Sequence, residues 1–145
     1  MLLAGCSEPV VVDSPELDET AAEACQAFLD DLPTTLSGED PVEITPGDAL
    51  GAAYGDPAIV VRCVADAPGE FDKFASCEVA NGVGWFVPRD QIEDQELDAV
   101  LTAVTYQPLV EVMVPVDYRP EGVAAVLAEL AAPVQANLEF VQDCV

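Results

Sequence analysis

Cysteines at positions 6, 25, 63, 77 and 144 set the first limit on what this 145-residue chain can become. An odd number cannot be fully paired within one chain. Cys6 stands apart from the rest. It ends the run Leu3-Ala4-Gly5-Cys6, and small residues just before a cysteine fit the requirement of a signal cleavage site. Reading Cys6 as a lipid attachment site leaves Cys25, Cys63, Cys77 and Cys144, an even set able to form two disulfides. Disulfides persist outside the cytosol, so an exported anchor and an even remainder support each other. The basic stretch and most of the apolar stretch of such a signal do not precede the box, which places the start codon upstream or makes the four-letter match chance. Four cysteines allow three connectivities. The expected one joins Cys63 to Cys77, closing a loop of about 15 residues worth roughly 3 kcal/mol, and Cys25 to Cys144. Zinc is the rival, but no two cysteines have the two-to-four-residue spacing that zinc favours, and the chain has no His.

Charge narrows the partners. There are 28 Asp and Glu against Lys73, Arg62, Arg89 and Arg119, a formal net charge of −24. Such a field repels nucleic acid and anionic lipid headgroups and attracts cations and basic partners; a solvated surface is its plainest use. Hydrophobic residues make up 51% of the chain, too many for a disordered one. No window of about 20 apolar residues exists to span a membrane. At this length one domain can bury roughly 68–70% of its unfolded surface.

Without His, neither a Ser-His-Asp nor a Cys-His arrangement can be built within the chain. No G-x-S-x-G and no Walker A motif occurs. Gly51-Ala52-Ala53-Tyr54-Gly55 has the G-x-x-x-G outline without the apolar 20-mer that gives it meaning. Lys73 could serve as a base only with a depressed pKa, and nothing local suggests burial. Asp94, Glu96 and Asp98 match positions one, three and five of a calcium loop, but Ala99 stands where glycine is needed and Thr105 where a bidentate glutamate is needed. Trp85 with Phe86, and Tyr106 with Tyr118, could line a pocket, though large aromatics more often build the core.

Local patterns give the elements. Ser14-Pro15-Glu16 predicts a helix start, with Ala21, Cys25, Phe28, Leu29 and Leu32 on one stripe before Pro33. Pro41–Thr45 reads as a short strand and Ala49–Tyr54 as a short helix. Ala58–Val64 reads as a core strand. Asn81-Gly82 between alternating apolar segments predicts a two-residue hairpin. Asp90–Asp98 reads as an acidic connector, and Val100–Tyr106 and Leu109–Val114 as strands. A second helix opens at Arg119-Pro120-Glu121, carries Val123, Val126, Leu127 and Leu130, and stops at Pro133. The tail, Val134–Val145, can add a last short element. The expected fold class is α+β: a mostly antiparallel sheet of about five strands with two main helices, stapled by two disulfides. Residues 1–6 read as a truncated lipoprotein signal and lipobox, 7–18 as a flexible tether, and 19–145 as one globular domain.

Several ordered stretches resemble a known family. They are Leu32-Pro33 after the Cys25 helix, the run from Tyr54-Gly55-Asp56-Pro57 to Cys63, the run from Cys77 to Trp85, and Pro108–Pro115 followed by Asp117-Tyr118. Together they resemble the actinobacterial short lipoproteins of domain of unknown function family 3515, with Tyr54 where that pattern has tryptophan. The resemblance implies export, a lipid anchor at Cys6 and paired cysteines, and it carries no activity. The chain is therefore expected to be a non-catalytic lipoprotein domain on the outer face of the cytoplasmic membrane. There it would bind an envelope protein or ligand, with no nucleic acid, metal or cofactor. A cation-binding lipoprotein and a carboxylate-dependent envelope hydrolase are the alternatives.

Overall fold

β-Branched runs too short to stand alone dominate the middle of the chain, and the structure pairs them edge to edge. A computed structural model describes residues 8–72, 74, 75 and 77–144. In chain order the elements are β1 (Val10–Val11), α1 (Glu19–Asp30), β2 (Pro41–Val42), β3 (Ile44–Thr45), β4 (Gly51–Tyr54), β5 (Ile59–Val64), β6 (Glu78–Ala80) and β7 (Val83–Phe86). Then come α2 (Arg89–Glu93), β8 (Ala99–Ala103), β9 (Tyr106–Gln107) and β10 (Leu109–Val114). A 3-10 helix over Val116–Glu121, α3 (Val123–Asn137) and β11 (Glu139–Phe140) complete the chain.

Seven strands form one antiparallel sheet in the order β2-β4-β5-β10-β8-β7-β6. β10 lies at its centre, with Val112 opposite both Val61 and Leu101. Alternate side chains point to opposite faces of a strand. One face therefore collects Ile59, Val61, Cys63, Val110, Val112, Leu101, Val83 and Trp85, all buried. Cys25 and Phe28 of α1, with Val126, Leu127, Leu130 and Val134 of α3, close over that face into one core. Each large side chain buried this way contributes about 1.5–3 kcal/mol. β1 runs parallel to β3, and β9 pairs with β11, in two small sheets beside the main one.

The α+β class, the antiparallel sheet, both main helices and two disulfides match expectation; the strands are more numerous than the expected five. The Asn81-Gly82 turn has φ of 49° and 90°, as its hairpin requires. Other details differ. α1 starts later than Ser14: Asp18 is its N-cap and accepts from Ala21 N at 2.8 Å, while the Ser14 hydroxyl accepts from Leu50 N. The stretch 49–54, expected as helix, ends in strand β4, because Gly51–Tyr54 pairs with Arg62–Ile59. A Cβ at Gly51 would come within 2.7 Å of Val12 Cγ1 and 2.9 Å of the Val61 carbonyl oxygen. α3 does not stop at Pro133. It runs to Asn137, because Val134 and Leu138 bury against the core and tertiary burial outweighs the lost amide of the proline.

The stretch expected to be a free tether is docked over its described part. Val10 and Val11 pair with Ile44 and Thr45, Val12 is buried, and Arg62 donates to the Asp13 carbonyl at 3.0 Å. Cys6 and Lys73 lie outside the described residues.

Candidate functional site

The second face of the sheet carries a groove; a depression of about 540 Å³ lies elsewhere, beside Asp18, Ala21, Gln107 and Asn137. The cross-strand register runs Gly51, Arg62, Glu111, Thr102, Phe86. Arg62 Nε donates to Glu111 Oε1 at 3.0 Å, an ion pair near the middle of this row. The Thr102 hydroxyl beside it is buried and has no hydrogen-bond partner among the described residues. At one end the N-terminal segment covers the row, with Val12 against Gly51; at the other, Phe71 and α2 lie beside Phe86.

Phe86 is held by Phe71, edge to face, with centroids 5.4 Å apart and planes at 65°. Between these segments lies a groove of about 590 Å³ lined by Ala75, Phe86, Val87, Ile92, Glu70 and Asp90, with Arg89 and Glu93 at its edge. A second depression of about 320 Å³ shares Glu70 and Asp90 with it and extends past Asp66, Val100 and Glu111. The two adjoin as one trough that mixes apolar side chains with carboxylates. Its size lies in the range of ligand pockets. Arg89 is tied to Glu93 at 2.7 Å, whereas Asp66, Glu70 and Asp90 have no cationic partner among the described residues.

The remaining described cation is used elsewhere. Arg119 donates to the carbonyls of Gln91, Asp94 and Leu97 at 2.6–3.1 Å, holding the acidic connector against the start of α3. Asp94, Glu96 and Asp98 do not converge. Asp94 accepts from Glu96 N, and Asp98 accepts from Val116 N, so those two carboxylates shape loops. Among the described residues no group of three or more His, Cys, Asp or Glu is placed to hold a metal ion. Gly55, at the end of the G-x-x-x-G outline, is a turn glycine with φ 80° whose missing side chain makes room for the Tyr118 hydroxyl. Of the four aromatics considered from sequence, Trp85 and Tyr106 are buried, Tyr118 donates to the Pro57 carbonyl at 2.6 Å, and Phe86 lines the groove.

All four described cysteines are oxidised, but the connectivity is not the expected one. Cys25 bonds Cys63, and Cys77 bonds Cys144, with Cα separations of 6.3 and 5.9 Å. α1 lies over the centre of the sheet, which sets Cys25 on Cys63. The tail after β11 returns past β7, which brings Cys144 to Cys77. Gly84 permits this passage: a Cβ there would strike Cys144 Sγ and lie 2.6 Å from Thr105 Cγ2.

Sequence reasoning found Phe86 but not the groove, whose walls draw on Asp66, Pro68, Glu70, Ala75 and residues 87–93. One signal was present. The run Val83–Val87 is apolar at nearly every position, and such a run marks a strand covered on both faces. No helix among the described residues is long and apolar enough to cross a membrane.

A family model described as a protein of unknown function (DUF3515) matches residues 4–142, and the chain belongs to that family. No curated protein and no solved structure matches it.

Proposed function

We propose that this member of the DUF3515 family is a non-catalytic lipoprotein domain, anchored through Cys6 to the outer face of the cytoplasmic membrane. It binds a protein or ligand of the cell envelope. One observation carries this reading: the four downstream cysteines bond to one another, so Cys6 stands outside both disulfides. A chain with two disulfides belongs to an oxidising compartment, and a remaining cysteine behind Leu-Ala-Gly is chemically suited to thioether attachment of a lipid.

The test is an intact mass after expression with the upstream codons in a lipoprotein-processing host, alkylated without reduction. A diacyl or triacyl mass on Cys6 with no alkylated thiols is expected. An unacylated chain with free thiols would overturn the anchored reading.

A further inference from the structure

The trough lies on the second face of the sheet, toward the edge away from the N-terminal segment. That segment covers β4, and the trough runs from Phe86 on β7 to Glu111 on β10, whose partner Arg62 also donates to the Asp13 carbonyl. Its two depressions share Glu70 and Asp90, and together they offer room for an extended chain. Its walls are apolar at Ala75, Phe86, Val87 and Val100, and Ile92 is half exposed at the rim. Its rim carries Asp66, Glu70 and Asp90 without cationic partners among the described residues. All three described arginines are committed to internal contacts. Among the described residues no cation is left free to neutralise this rim, so a basic occupant would complement it.

We propose that this trough binds an extended segment of an envelope protein in which basic side chains alternate with apolar ones. Alternation follows from strand geometry: successive side chains of an extended peptide point to opposite sides, so one set reaches the apolar walls and the other the carboxylate rim. The apolar contacts give affinity, and the charges give orientation and fast association. The proposal rests on the envelope-binding reading above.

The test uses the disulfide-intact chain, isotopically labelled, and two synthetic probes of about nine residues with equal positive charge. One alternates Lys with Val, the other Lys with Gly. The Lys-Val probe is expected to bind about tenfold more tightly and to shift amides of the trough residues, from Asp66 to Ala75 and from Phe86 to Glu93. Ile92→Ser should weaken it about fivefold and Glu70→Gln about threefold, whereas Val11→Ser, exposed at the opposite edge, should not change it. Equal binding of both probes, shifts scattered over the acidic surface, or no effect of Ile92→Ser would overturn the proposal. Acylation of Cys6 is read separately by mass, so the trough can fail while the anchor stands, and the reverse.

Discussion

At Gly84 the strand β7 must pass beneath the Cys77–Cys144 bridge, and no side chain fits. Gly84→Ala would press a methyl against Cys144 Sγ and Thr105 Cγ2 while Gly84 N still donates to the Thr105 hydroxyl at 3.0 Å. The expected cost is about 1–3 kcal/mol in denaturant unfolding, with thiols at Cys77 and Cys144 that react with alkylating agent. Tyr54 acts through its proton. It donates to the Pro33 carbonyl at 2.8 Å, and burial, with the charge of Glu129 adding to it, raises its pKa above the usual 10.0. The fold favours the neutral phenol, so Tyr54's contribution is fully present below pH 10 and is lost as pH rises through the raised value. Tyr54→Phe should cost about 0.5–1.5 kcal/mol at neutral pH and flatten the alkaline loss of stability, seen in melts from pH 8 to 11. Tyr118, also raised, first by burial and then by Glu39, would sustain part of the slope that remains.

Among the elements, those specified by neighbours in sequence were legible and those specified by distant packing were not. The Asn81-Gly82 turn needs only its own two residues. β5 and β10 announce themselves by β-branched runs. α3 beyond Pro133 depends on burial of Val134 and Leu138, which no local rule supplies, and the proline signal misleads there. Gly51–Tyr54 is a strand because β5 lies beside it and Val12 above it. The cysteine partners follow from the same long-range placement of α1 and the tail. The groove is harder still, since Phe86 meets chain from 15 residues before it and from α2 after it. The acidic connector gives a test at this scale. Arg119 is its clamp, with three carbonyls on one guanidinium, and hydrogen bonds to charged groups are worth about 1.5–3 kcal/mol. Arg119→Gln should lower stability by about that amount and speed cleavage by a glutamate-specific protease at Glu93 and Glu96, monitored by mass.

For the whole molecule, 28 carboxylates face four cations, and the described residues hold only two ion pairs. The folded state gathers this charge into a small volume, where it repels itself. Added salt screens exposed charges over about 10 Å at 0.1 M. The melting temperature should therefore rise as NaCl increases from low to moderate concentration. A flat or falling curve would show that self-repulsion is not what limits the fold.

The two disulfides join the second cysteine to the third and the fourth to the fifth, so they enclose successive stretches, 25–63 and 77–144, that never overlap. A chain exported head first, as proposed above, would meet its oxidant in that same order. With Cys6 capped by lipid, Cys25 would find its mate in the next thiol to follow, Cys63, and that ring could seal while the rest of the polymer is still in transit. For the four downstream cysteines, oxidation in order of arrival and the final connectivity would then coincide.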